Sequence, residues 1–331
     1  MADLILDRIT YQPTHETLAP IPWPEGLAPK GTRYEPGSND PLPSADVVVV
    51  TWTAAEGEAL ADVLTPGLPS TTWQPYAHQW SSYETQLTDR SPARDARCMA
   101  YAANVTIGSV RVLALKSELH LATDGISAPI VQLWSQIIEE AKPALVITTG
   151  TAGGIGEATQ LGDVFAVTNA KFNCTKTFKS KAWAQQLFQG PPLEGGGYAS
   201  SFGDLVAPNA KQLAPVADRP PLLTFGEANG GVETVDYFGF ADTDDSYGIV
   251  ANYPDARTEE MDDATLPLAL AGIGNPPRWC SIRNASDPQV SSSIGDLEAQ
   301  ARWASQIYQE YGYWTTVGSA IATWGVIANL A

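Results

Sequence analysis

Val47-Val48-Val49-Val50-Thr51 is a continuous β-branched run with no polar position inside it. Such a run suits a strand covered on both faces, as in a parallel sheet. Ala54 to Leu60 follows as a helix start. Ala100–Ile107 and Val110–Lys116 alternate around Gly108-Ser109, which signals a hairpin. Ile126, Ile130, Leu133, Ile137 and Ala141 recur at helical spacing and predict an amphipathic helix ending before Pro143. Ala144 to Thr149 is a further apolar strand that runs into a glycine-rich turn, Thr149-Gly150-Thr151-Ala152-Gly153-Gly154. Gly162-Asp163 opens the next strand, Val164 to Thr168.

The flanking regions are less regular. Pro13, Pro20, Pro22, Pro24, Pro29, Pro36, Pro41 and Pro43 remove backbone donors, so residues 1–44 read as an extended arm. That arm is expected to pack on the surface or on a neighbouring subunit. The stretch 179–233 is rich in Pro, Gly and polar residues and reads as an irregular insertion with one short helix. Thr258 to Leu270 is expected to be helical, with Thr258 as its N-cap. Trp279 to Arg283 is a short buried strand, and two helices, Ile294–Glu310 and Thr315–Asn329, close the chain. With no internal repeat, residues 45–331 read as a single α/β domain.

Composition narrows the function classes. The chain has 331 residues, 44% of them hydrophobic, and a net charge of −18 from 37 acidic and 19 basic residues. A surface this acidic repels nucleic-acid backbones and anionic lipid, but tolerates a small anion in a local basic pocket. No apolar run approaches the ~18 residues of a membrane span. The N-terminus lacks the pattern of a signal peptide, so a cytoplasmic protein is expected. Cys98, Cys174 and Cys280, like His15, His78 and His120, are scattered without metal spacing, and no metal or organic cofactor is expected.

The glycine turn has two readings. Thr149-Gly150, Gly154 and Gly156 match the cofactor signature of short-chain dehydrogenases. A dinucleotide site, however, needs a helix directly after the glycines. Only Glu157 to Leu161 separate the turn from the next strand, and no Tyr-x-x-x-Lys occurs in the chain. A turn that lets backbone approach a sugar or phosphate fits better. Val146 to Gly154 followed by Leu161-Gly162-Asp163-Val164, with Glu260-Met261-Asp262 and Arg283-Asn284-Ala285-Ser286-Asp287 further on, resembles the nucleoside phosphorylase and nucleosidase superfamily. Within it the chain is most similar to the methylthioadenosine and adenosylhomocysteine nucleosidases.

The resemblance implies a nucleoside-phosphorylase-like central mixed sheet flanked by helices, a homo-oligomer, and cleavage of an N-glycosidic bond. That reaction needs a water activated on one side of the sugar and a proton given to the base on the other. By resemblance Glu56 is the base that activates water, and Arg283 and Thr151 hold that water beside it. Asp287, with Ser286, is the acid that protonates or hydrogen-bonds a purine at N7. Ala152 and Gly153 approach the ligand through the turn, and Phe238 stacks on the base. Glu260-Met261-Asp262 resembles a Glu-Met-Glu segment in which the methionine lies under the sugar and the last acid binds its hydroxyls. Here that acid is one methylene shorter.

Phosphate-using hexameric relatives carry an arginine just before the glycine turn, where this chain has Thr148. Without that cation a dianionic phosphate is poorly held, which makes water the nucleophile. Lys171, Lys176, Lys179 and Lys181 concentrate positive charge after the strand Val164–Thr168. Facing the pocket they would favour a nucleotide; otherwise they form a solvated loop. The expected function is hydrolysis of a purine nucleoside or nucleotide to free base and sugar. The alternatives are a phosphate-dependent phosphorylase, a silent nucleotide-binding or sensing protein, and a toxin acting on abundant nucleotides.

Overall fold

A computed structural model describes residues 17–193, 197–225, 230–239, 244–287 and 296–331. His15, Pro13, the start of the helix expected at Ile294 and the turn expected beyond Asp287 lie outside them. The strands are β1 (Lys30–Thr32), β2 (Val47–Thr51), β3 (Gln74–Tyr76), β4 (Ala100–Ile107), β5 (Val110–Ser117), β6 (Leu145–Gly154), β7 (Val164–Val167), β8 (Asn169–Asn173), β9 (Leu187–Gln189), β10 (Leu223–Phe225), β11 (Gly231–Val235), β12 (Ala256–Glu260) and β13 (Arg278–Asp287). The helices are α1 (Ala54–Leu64), α2 (Trp80–Glu84), α3 (Pro92–Ala96), α4 (Pro129–Ala141), α5 (Phe202–Ala210), α6 (Ile249–Asn252), α7 (Thr265–Leu270) and α8 (Leu297–Ala328).

The thirteen strands of the described residues join one mixed sheet, in the order β1-β4-β5-β2-β6-β12-β11-β8-β9, with β3 added to β4 and with β13, β7 and β10 branching from β6. The valine run of β2 shows why the sheet is buried. Val48 and Val50 enter the core on the α4 side, while Val47 and Val49 enter the core on the α1 and α8 side. Each fully buried valine contributes roughly 1.5–3 kcal/mol of apolar transfer.

β6 determines where the site lies. Its first half pairs in parallel with β2, from Val47 opposite Leu145 to Val50 opposite Thr148. Its far end pairs antiparallel with β12, with Glu259 opposite Gly153 and Thr258 opposite Gly154. Between those two partners, residues 149–152 have no strand on that edge, while β13 continues along the other edge. Backbone donors in the gap need other acceptors. The glycine turn of the sequence is thus a continuation of β6.

Several sequence expectations change. Residues 258–260 form the end of β12 rather than a helix, and α7 begins only at Thr265. Pairing with β11 and β6 overrides the local pattern, and Thr258 caps nothing. Ile126 is 65% exposed and precedes α4, which starts at Pro129. The two closing helices are one helix of 32 residues. Gly312 does not break it, because Thr315 and Thr316 hydrogen-bond back to its carbonyl and the following turns are buried. Ser319 donates to Asn284 Oδ1 at 2.7 Å and Thr323 to Thr149 Oγ1 at 3.0 Å, fixing α8 to β13 and β6.

The stretch 179–233 is more regular than its composition suggests. It supplies β9, α5, β10 and most of β11, and β11 is fully buried inside the sheet. In residues 17–44, β1 pairs antiparallel with β4, and Trp23 packs on Trp324 with ring centroids 4.6 Å apart. Among the described residues no helix is long and apolar enough to cross a membrane.

Candidate active site

Glu56 occupies the third position of α1, where a carboxylate reaches back to the N-cap backbone. Its Oε2 accepts from the Thr51 hydroxyl and from the Trp52 and Thr53 amides, each at 2.9 Å. Its Oε1 crosses to β6 and accepts from the Thr151 amide at 2.7 Å and the Thr151 hydroxyl at 2.6 Å. The Thr151 amide lies in the gap of β6, so Glu56 takes the place of a missing strand. Glu56 is 1% exposed, whereas Thr151 retains partial exposure.

Arg283 sits on β13 with its guanidinium among acids. Nε donates to Asp263 Oδ2 at 2.9 Å and Nη2 to Asp263 Oδ1. Nη2 also reaches Glu260 at 3.3 Å, Nη1 donates to the Thr151 carbonyl at 3.1 Å, and Nη1 lies 3.7 Å from Glu56 Oε1. The indole of Trp52 stacks below it at 4.9 Å. A buried cation needs such partners.

These contacts separate the carboxyl groups electrostatically. Burial opposes ionisation of Glu56, but the charge of Arg283 and the hydrogen bonds from Thr151 and Thr53 outweigh it and hold its pKa below the ordinary value. Burial and the neighbouring Asp263 push Glu260 upward against the pull of Arg283. Arg283 stays protonated because Asp263, Glu260 and Glu56 overcome its desolvation. Asp287, at the end of β13, is raised by burial to about 6, with the Ser286 hydroxyl opposing.

Ser286 connects Asp287 to the turn: its hydroxyl lies 2.9 Å from Asp287 Oδ1 and 3.2 Å from the Ala152 carbonyl. Gly153 is opposite Asp287 in the ladder. Phe238 follows β11 and packs against Ala304 of α8. Thus Glu56, Thr151, Arg283 and Glu260 form one hydrogen-bonded group, and Ala152, Gly153, Ser286 and Asp287 form the next step along the β6–β13 pair.

Asp262 is buried, with neighbours at both carboxylate oxygens. Its Oδ1 accepts from the Leu121 amide at 2.7 Å, and His120 Nδ1 lies 3.3 Å from its Oδ2. Met261 before it is half-buried. Sequence reasoning missed Asp263, the main partner of Arg283; the run of consecutive acids beside a buried arginine was the available signal. The lysines do not act together. Lys171 donates to the Asn252 carbonyl and Oδ1 at 2.5 and 3.0 Å, Lys176 lies 5.7 Å from the Tyr237 ring centroid, and Lys179 is exposed. Thr148 is fully buried between β2 and β13.

The large mixed sheet flanked by helices matches the nucleoside phosphorylase/nucleosidase fold. Among solved structures, a Helicobacter pylori 5'-methylthioadenosine/S-adenosylhomocysteine nucleosidase with 5'-methylthioadenosine in its active site matches with a TM-score of 0.52 at 10% identity, over 86% of this chain and 98% of that one. The futalosine hydrolase of the same organism matches with a TM-score of 0.51 at 9% identity, over 85% and 96%. The nucleosidase from Neisseria meningitidis matches with a TM-score of 0.50 at 17% identity, over 86% and 99%. No protein-family model matches the chain. No curated protein matches it either.

Proposed function

We propose that the protein hydrolyses the N-glycosidic bond of a purine nucleoside or nucleotide, releasing free base and sugar. The observation that carries this reading is the opposite displacement of two carboxyl groups about the end of β6, with the pKa of Glu56 held below its ordinary value and that of Asp287 raised to about 6. Carboxyls divided in this way suit a base and an acid acting on opposite ends of one bond. The nucleosidase and hydrolase names of the structural neighbours support the same class.

In this reading Asp287 gives its proton to N7 as the C1'–N9 bond breaks and its electron pair passes to the base. Water attacks C1' from the other side. Glu56 is nearly inaccessible, so the water meets Thr151, whose hydroxyl takes the water proton while passing its own to Glu56 Oε1. Proton return from Glu56 to Asp287 through solvent closes the cycle. Met261 lies under the sugar, and Asp262, steadied by Leu121 and His120, meets its hydroxyls. Phe238 stacks on the base. Assembly with further copies of the chain and work in the cytoplasm belong to this reading.

The test is chromatography of free base from a panel of purine nucleosides and nucleotides, with and without phosphate. Base and free sugar without phosphate are the expected result; release only with phosphate would make the protein a phosphorylase. One observation favours a second reading, nucleotide binding without turnover. The Glu56 carboxylate already accepts hydrogen bonds from the Thr51 and Thr151 hydroxyls and from the Trp52, Thr53 and Thr151 amides, which fills its lone pairs. Saturable binding with no base release from any substrate would establish it.

A further inference from the structure

Glu259 stands beside the proposed base site and has no part in the hydrogen-bonded group around Arg283. The register places it in a row across the sheet, with Glu233 on one side and Gly153, then Asp287, on the other. It is 3% exposed. Its carboxyl group is flanked by two glycines. A Cβ on Gly153 would lie 2.5 Å from its Oε1, and a Cβ on Gly239 would lie 3.8 Å from its Oε2. Gly153 belongs to the turn beside Asp287, and Gly239 directly follows Phe238. The carboxyl therefore lies beside the strand end that carries Asp287 and near the backbone that follows Phe238.

Among the described residues no hydrogen bond reaches either Glu259 oxygen. Burying a carboxyl without a partner is costly. Glycine at 153 leaves no side chain against Oε1, while the Tyr237 ring stands nearest the position of a Cβ on Gly239. Burial raises the pKa of Glu259 well above the ordinary value, and Asp287, Glu233 and Glu260, acids all, push in the same direction, which favours the neutral form. A neutral carboxylic acid offers one donor and one acceptor side by side.

We propose that Glu259 is a specificity-determining residue of this site, pairing with the adjacent donor and acceptor at position 6 of a purine while Asp287 meets N7. This rests on the hydrolase reading above. The matching edge is the 6-amino group with N1 in an aminopurine, or the 6-oxo group with N1–H in an oxopurine. A purine without a 6-substituent lacks the pair.

Calorimetric titration of adenine, hypoxanthine and unsubstituted purine into wild type, Glu259→Gln, Glu259→Asp and Glu259→Leu tests it. Wild type is expected to bind adenine or hypoxanthine at least about tenfold tighter than purine, the worth of one to two hydrogen bonds. Glu259→Leu and Glu259→Asp should erase that preference, the latter by withdrawing the carboxyl one methylene without changing its chemistry. Glu259→Gln, which keeps a donor and an acceptor in place, should retain it. The same preference in the Leu and Asp variants as in wild type overturns the proposal, and so does equal or absent binding of all three bases by wild type. Base release from nucleosides, followed in parallel, separates the two readings: continued release leaves hydrolysis standing when the Glu259 assignment fails.

Discussion

The carboxyl group of Glu56 fills the space in which a side chain on Gly150 would begin. Gly150 also has φ of +146°, a conformation that side-chain-bearing residues rarely adopt. Gly150→Ala is therefore expected to displace Glu56 from Thr151 and to destabilise the fold by about 1–3 kcal/mol, the range for overpacking. Urea unfolding measures the second effect and initial rates of base release the first, which should fall at least about a hundredfold.

Glu56 contributes to stability as well as to the proposed chemistry. Glu56→Gln leaves Arg283 short of one negative partner and turns an amide N–H toward groups that already donate. A loss of about 3–5 kcal/mol is expected, as for a broken buried ion pair. The pH dependence has a definite sign. The folded pKa is depressed, so the contribution is present above the unfolded value of about 4.3 and lost as pH falls through the folded value. Unfolding curves of wild type and Glu56→Gln should converge in acid and separate toward neutrality.

The Thr151 hydroxyl is the predicted path from water to Glu56. Thr151→Val keeps the amide bond to Oε1 and removes only the hydroxyl, so turnover should fall by about 10²-fold with KM little changed. Thr151→Ser should restore most of it. Equal rates for Val and wild type would show that water reaches Glu56 directly.

Asp287 should impose an alkaline limb on turnover. As a general acid it must carry its proton, so kcat/KM is expected to decline as pH rises through about 6. Asp287→Asn should lower the rate and remove that limb. For stability the sign is opposite to that of Glu56. The folded pKa is raised, so the contribution is complete below the unfolded value of about 3.9 and disappears as pH rises through about 6.

The regular interior of the molecule was open to reading because its strands obey a single rule. A valine run buried on both faces, and a hairpin alternating around Gly108-Ser109, state their structure locally. Residues 258–260 do not: their conformation comes from pairing with β11 and β6, partners distant in sequence. The same holds for Gly231–Val235, where polar Glu233 and Thr234 are buried by the sheet around them. At the site, the motif residues Glu56, Thr151 and Arg283 were identifiable by type and order. Asp263 and Glu259 were hidden in an acidic run, because only side-chain direction separates them from Glu260 and Asp262.

The length of α8 has a mechanical side. At about 1.5 Å per residue its 32 residues reach about 48 Å, and the half beyond Tyr313 is anchored deep in the core. The first half packs more lightly, buried at Gln300, Ala304 and Ser305, and the Tyr308 hydroxyl bonds the Thr53 hydroxyl at 2.7 Å. Thr53 is the cap on which the Glu56 loop closes. The helix thus leans on the cap of α1, so a tilt of its first half would strain the same hydroxyl that aligns the Glu56 loop.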